Sequence, residues 1–207
     1  MAMNRQPADD RVWRQVTASP RAALGTCSAV GPVSQDRVIS TVRGSEVVSD
    51  PTNVLALEAA ARRKAAGAPV HLASCTRVLR GQPFDAPGLF QHFRLFLSEL
   101  LPGREVALRF TVFDFPPLRE RIKDTVRPAL EPLPGGVAID EDPDRERARG
   151  YYERGAIRID VATGAGWQEV GDGGFTSWTA RLLGDAKERA FISCASTERL
   201  AALSTAL

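Results

Sequence analysis

Arg80, Gln82 and Phe93 are the residues whose types and spacing first suggest chemistry. They lie in residues 76–96, where two runs of β-type residues flank a loop at 83–88 that carries two prolines, an aspartate and a glycine. The pattern predicts two antiparallel strands joined by a turn longer than a two-residue hairpin. Strand side chains alternate, so Val78, Arg80 and Gln82 share one face of the first strand, and Phe93, Leu95 and Leu97 share one face of the second. If the two faces coincide, an arginine, an amide and an aromatic ring stand side by side. A guanidinium fork matches phosphate oxygens and a Phe face can stack on a purine, so the expected chemistry is a phosphate held beside a flat base. The same residues also suit a hairpin with solvated arginines, because exposed Arg on strands is common.

Other elements must position that hairpin. Residues 37–42 and 46–49 predict short strands around a turn at Arg43, Gly44 and Ser45. Asp50, Pro51, Thr52 and Asn53 then open an alanine-rich stretch that predicts a helix ending before Gly67. On residue type alone Asp50 and Thr52 serve as N-capping groups. Strands are expected at 70–75, 106–113, 136–140, 152–161, 167–170 and 190–194. A helix is expected over 118–130, ended or kinked by Pro128, and another over 197–207. Residues 141–149 read as a solvated acid–base turn, and 171–174 (Gly-Asp-Gly-Gly) as a tight turn. Strands that mostly follow strands, without a βαβ rhythm, predict an α+β fold around a mostly antiparallel sheet flanked by helices.

The 207 residues suit one domain over 21–207, with 1–20 as a loosely docked or poorly ordered arm. A net charge of +2 with both signs interspersed excludes a bulk nucleic-acid binder. No apolar run reaches the length of a membrane span, and the polar start has no signal-peptide character. Cys27, Cys75, Cys194, His71 and His92 are too widely spaced to predict a metal site or a disulfide framework, so a reduced cytoplasm is the expected setting. There is no P-loop and no GxGxxG opening a helix.

Several separated stretches, in one order, resemble the catalytic core of class II aminoacyl-tRNA synthetases, closest to the histidyl branch. Leu79, Arg80, Gly81 and Gln82 match a Phe-Arg-x-Glu strand, and Gln91, His92 and Phe93 match the strand whose Phe stacks on adenine. Ser49, Asp50, Pro51 and Thr52 stand where that branch has Pro-Glu-Gly-Thr. Residues 147–152, ending in Tyr151 and Tyr152, match Arg-Gly-Leu-Asp-Tyr-Tyr. Gly173 and Gly174 match the start of Gly-Gly-Arg-Tyr-Asp-Gly, and Glu198, Arg199 and Leu200 match the Glu-Arg-Leu of the third motif. The likeness runs from about Arg43 to the end. It departs at Gln82, which replaces a glutamate, at Cys194, Ala195 and Ser196, where the family has glycines, and at Ser177, near the family's aspartate. The first motif is not recognisable in residues 1–42, and the chain ends without an anticodon-binding domain.

The resemblance implies a ligase that uses ATP, with Mg²⁺ carried by the nucleotide, to activate an amino or related carboxylic acid as an acyl adenylate. Transfer would be to a non-translational acceptor. Arg80 and Arg199 would be the catalytic cations. Gln82, Phe93 and Glu198 would join them around ATP, and Asp50, Thr52, Tyr152, Gly173 and Gly174 would hold the acid. The implied partners are that small molecule, a second copy in a homodimer, and a carrier or partner enzyme. No membrane or nucleic-acid partner is implied. The alternative is a catalytically silent paralogue that binds an amino acid and regulates a partner, as the synthetase-like subunit of ATP phosphoribosyltransferase does.

Overall fold

The computed structural model describes residues 14–79, 92–95, 105–130 and 137–205, with 92–95 and 204–205 described by their backbone alone. Near the start, β1 (Arg14–Gln15) and β2 (Arg21–Ala23) precede a short helix α1 (Thr26–Val30). After them come β3 (Ser40–Thr41) and β4 (Ser45–Val47), joined by the expected turn, in which Arg43 and Gly44 both adopt positive φ. Residues 14–20 are docked, since the Arg14 and Val16 amides donate to the carbonyls of His71 and Ala73, and the Val48 amide donates to that of Pro20. The strand expected over 37–42 is shorter, because residues 35–37 form a 3₁₀ turn capped by Ser34.

Helix α2 (Pro51–Ala66) has the limits its sequence prescribes. Asp50 caps it through its side chain, proline takes the first helical position where a missing N–H costs nothing, and Gly67 ends it at φ 68. Strand β5 (Leu72–Ala73) runs parallel to β1. The hairpin predicted from sequence follows as β6 (Thr76–Leu79) and β7 (His92–Leu95), in antiparallel register with Val78 opposite Phe93.

The centre of the molecule is a five-stranded sheet. Its strands are β8 (Val106–Val112), β9 (Val137–Glu141), β10 (Gly155–Thr163), β11 (Gly166–Thr176) and β12 (Ala190–Ala195), in the order β12-β11-β10-β8-β9. Every pairing is antiparallel except β8 with β9. A parallel pair needs a crossover, and residues 117–130 supply it as α3 (Pro117–Arg121), a π-helical turn (Ile122–Val126) and α4 (Arg127–Leu130). The widened turn immediately before Pro128 accounts for a helix that continues through a proline, because it relieves the clash with the preceding turn of backbone. This is the α+β architecture expected from the sequence.

Register and alternation divide the sheet into two faces. On the back, Leu108, Phe110, Val112, Ile139 and Ile157 pack against Leu118 and Ile122 of the crossover helix. Beside them Val106, Val161, Val170 and Ala195 pack against Leu200 and Leu203 of α6 (Thr197–Thr205). Fully burying one such aliphatic side chain is worth about 1.5–3 kcal/mol, so the back face carries much of the fold's stability. On the front, the alternate positions are Arg109, Thr111, Arg158, Asp160, Asp172, Gly174, Cys194 and Ile192. One end of this face is covered by α1, α2 and α5 (Trp178–Leu183), where Val30, Ala56 and Trp178 pack with Tyr151 and Ile192.

The expected turn at residues 171–174 is corrected: Gly171 to Gly174 lie in the middle of β11. These glycines serve close approach. A Cβ on Gly171 would stand 2.5 Å from the Cys194 carbonyl oxygen, and one on Gly173 would stand 2.6 Å from the Ser193 Cβ. The solvated turn expected at 141–149 is corrected in part, since Arg145 within it is buried.

Candidate functional site

The uncovered part of the front face is charged, and its charges are paired. Asp160 is 2% exposed and accepts from Arg109 Nε at 2.9 Å and from Arg158 Nε at 3.0 Å. Arg158 also reaches Asp142 at 3.5 Å. Arg145 donates to the carbonyls of Ile157 at 3.0 Å and Arg147 at 3.1 Å, and stands 3.6 Å from Asp172 Oδ2. Arg147, the residue aligned with the arginine of Arg-Gly-Leu-Asp-Tyr-Tyr, is exposed and lies 3.4 Å from Glu169.

Where this row meets the N-terminus of α2, two carboxylates and two tyrosines converge. Asp50 Oδ1 accepts from the Thr52 amide at 2.9 Å and the Thr52 hydroxyl at 2.6 Å, so the capping role read from residue type is present. Asp50 Oδ2 accepts from the Tyr151 hydroxyl at 2.6 Å. The Tyr151 ring meets Tyr152 edge-on at 5.0 Å and Trp178 at 5.3 Å. Tyr152 is 4% exposed and its ring lies on Gly174, where an added Cβ would stand 2.5 Å from it. On the neighbouring strands the Cys194 thiol donates to Asp172 Oδ1 at 3.3 Å.

Electrostatics keep the three donors protonated. Burial pushes the Tyr152 hydroxyl far above the ordinary phenol range, and Asp172, Cys194 and Asp50 push it further. Burial followed by Asp50 does the same to Tyr151, and burial followed by Asp172 and Asp50 to the Cys194 thiol. Cys194 is therefore a neutral thiol without nucleophilic character. Both carboxylates act on the same tyrosine and the same thiol, so they border one small volume. Among the described residues this volume is bordered by acceptors on two sides, which suits a cationic group such as an ammonium.

The sequence-derived site residues divide into those brought together and those set apart. Asp50, Thr52, Tyr152 and Gly174 converge. Gly173 lies on the back face against β12. Arg199 is on α6, and its Nη1 donates to the Glu169 main-chain carbonyl at 2.9 Å, where β11 bulges opposite Ile159 and Asp160. Glu198 accepts from the Thr197 hydroxyl at 3.0 Å. Arg80 and Gln82 lie outside the described residues, and Phe93 is placed by backbone register alone. Sequence reasoning missed Asp172 and Arg145 as site residues. The signal for Asp172 was available, because a polar residue among alternating glycines continuing a strand also fits a strand built for close approach.

No family model matches the chain, and no curated protein matches it. Solved structures do. An apo histidyl-tRNA synthetase from S. aureus matches over 92% of this chain and 60% of its own, at 13% identity and a TM-score of 0.66. An ATP phosphoribosyltransferase regulatory subunit/histidyl-tRNA synthetase from Bacillus halodurans matches over 91% of this chain and 73% of its own, at 11% identity and 0.59. A pyrrolysyl-tRNA synthetase from Desulfitobacterium hafniense matches over 94% and 64%, at 12% and 0.53. The chain has the class II aminoacyl-tRNA synthetase fold. It spans less than two thirds of the length of the synthetases from S. aureus and D. hafniense. On this fold the charged front of the sheet runs up to the α2 N-terminus, and the candidate cleft lies where they meet. Among the described residues, no helix is long and apolar enough to cross a membrane, and no group of three or more His, Cys, Asp or Glu is arranged to hold a metal.

Proposed function

We propose that the cleft binds an amino acid, or a related carboxylic acid bearing an amine, through its ammonium group, and that its occupancy regulates a partner enzyme. One observation carries the reading: Asp50 and Asp172, on opposite elements, both act on the buried Tyr152, and Asp50 also accepts from the half-buried Tyr151 hydroxyl. An ammonium brings three donors to a place rich in acceptors, and the neutral tyrosines supply shape without competing charge. The protein acts as a homodimer, as the resemblance implies. Regulation is supported by the likeness to the regulatory subunit from Bacillus halodurans, and by the state of Arg199. That guanidinium donates to the Glu169 carbonyl at the bulge of β11, which supports a role in holding the strand.

The adenylate-forming reading has one observation in its favour. The register of β6 with β7 sets Phe93 opposite Val78, on the strand that leads to Arg80. In that reading the acid's carboxylate attacks the α-phosphorus of ATP and pyrophosphate departs, with Arg80 and Arg199 holding the phosphates. Calorimetric titration with a panel of amino acids, then with Mg–ATP, tests both. Amino-acid binding weakened at least ten-fold by Asp50→Ala, with no ATP heat and no ATP–pyrophosphate exchange, is the expected result. Exchange abolished by Arg199→Ala would establish the enzyme instead, and a chain that binds neither ligand would remove both readings.

A further inference from the structure

A second cavity, of about 440 Å³, lies away from the cleft, among the end of β11, α5, the loop before β12 and residues 153–154. Its volume is within the range of small-molecule sites. Arg154, Arg181 and Arg189 line it, with Phe175 forming an apolar part of the wall. Two acids also line it, of which Glu188 is neutralised by an arginine outside the cavity and Glu153 keeps its charge, so the three arginines still outnumber the one free carboxylate. Glu188 is bound by Arg63 at 2.9 Å, and Glu153 accepts from the Ser177 hydroxyl.

The three guanidiniums are held but not used up. Arg181 spends one N–H on the Val30 carbonyl at 2.6 Å. Arg189 directs one nitrogen to the carbonyls of Ala186 and Glu188. Arg154 lies over the Phe115 ring at 5.5 Å, and no acid pairs with it among the described residues. Each guanidinium has five donors, so most remain available.

We propose that this cavity binds a phosphate monoester carrying a flat or apolar group, with the phosphate among Arg154, Arg181 and Arg189 and the apolar group against Phe175. Guanidinium forks suit a dianion with three terminal oxygens better than a monoanionic carboxylate. The site does not rest on the amino-acid reading, since it shares no side chain with the cleft.

Calorimetry on the full chain tests the proposal with phenyl phosphate, inorganic phosphate and benzoate as probes. Phenyl phosphate is expected to bind one site, tighter than inorganic phosphate and at least ten-fold tighter than benzoate. The Arg154→Ala/Arg189→Ala double variant should lose at least ten-fold in phenyl phosphate affinity while keeping its near-UV circular dichroism. No saturable heat with phenyl phosphate, or equal binding of benzoate, would overturn the proposal. So would binding lost in Arg199→Ala but kept in the double variant, because that would place the anion at α6, behind the sheet.

Discussion

The two faces of the central sheet are built from opposite materials. Behind it, aliphatic and aromatic side chains from β8, β9 and β10 meet the crossover helix, and those of β11 and β12 meet α6. In front, the same strands present Arg109, Arg158, Asp160 and Asp172, each engaged by an opposite charge within 3.6 Å. The back gains from every methyl removed from water. The front carries desolvation costs that its ion pairs only roughly offset. A fold does not need such a surface for stability, and a charged face of this kind is what the proposed amino-acid site requires.

The sharpest way to break this contrast is to remove the buried acid that neutralises the front. Asp160→Ala leaves Arg109 and Arg158 without their shared partner. The expected loss is roughly 3 kcal/mol, the lower end for breaking a buried pair, because both arginines keep about a quarter to a third of their surface in water. Val161→Ala, one residue along and on the back face, should cost about 2 kcal/mol through lost burial and the cavity left behind. Urea titrations of both variants check the order. If Asp160→Ala costs less than Val161→Ala, the front-face pairs contribute little and the contrast fails.

Gly174→Ala sharpens the comparison at the ligand end. Its Cβ would stand 2.5 Å from the Tyr152 ring, so the ring must move and with it the contact to Tyr151. Overpacking of this kind costs typically 1–3 kcal/mol. Amino-acid affinity should fall by more than ten-fold while the back-face core is unchanged, which near-UV circular dichroism and calorimetry together report.

How far these contrasts were legible in the sequence depended on whether local signals agreed with the tertiary setting. Helix α2 was legible because cap, proline, alanine run and terminal glycine all point the same way. The antiparallel pairing of β6 with β7 followed from alternation and a loop rich in proline and glycine, whereas the register of residue 78 with residue 93 is set by the structure. Residues 171–174 were not legible, because glycine punctuates turns and also marks strands that something must approach closely, and only Tyr152 and β12 decide between them. Arg145 was hidden for a similar reason. Within a run of charges nothing local distinguishes the one arginine that two backbone carbonyls and Asp172 draw inside. Of the site, Asp50, Thr52 and Tyr152 were visible through the resemblance, and Tyr151 and Asp172 were not.

The front layer also has a pH-sensitive tie. Glu46 is fully buried and accepts from the amides of Gly25 and Cys27, both at 2.8 Å, and from Gln35 at 2.9 Å. Burial raises its pKa, but the Cys27 amide, Gln35 and the Gly25 amide outweigh that and hold it below its ordinary value of 4.5. A depressed folded value means the stabilisation is complete above the ordinary value and is lost as pH falls through the folded one. Glu46→Gln should therefore cost about 2 kcal/mol at neutral pH. The gap between variant and wild type should close below pH 4, as thermal melts across pH can show. A gap independent of pH would mean that the carboxylate's charge contributes nothing to holding α1.

The smallest expected effect concerns the link between the two faces. Arg199 sits on α6, behind the sheet, and donates to the Glu169 carbonyl at the bulge of β11. That bulge is where the backbone steps from Gly171 opposite Ile159 to Glu169 opposite Asp160, so the arginine ties α6 to the edge of the charged row. Arg199→Ala removes one charge-assisted hydrogen bond, worth about 1.5 kcal/mol, and leaves a carbonyl that water can reach. If the guanidinium serves the strand, stability should fall by that amount and amino-acid affinity should change less than two-fold. Arg199→Lys should recover part of the stability, because a lysine can still donate to a single carbonyl. If it serves a nucleotide, stability should hardly change, ATP affinity should fall more than ten-fold, and lysine should restore it poorly, because an ammonium lacks the bidentate fork. Melting curves and ATP titrations on the same three proteins distinguish these outcomes, because a strand tie and a phosphate clamp ask different things of one side chain.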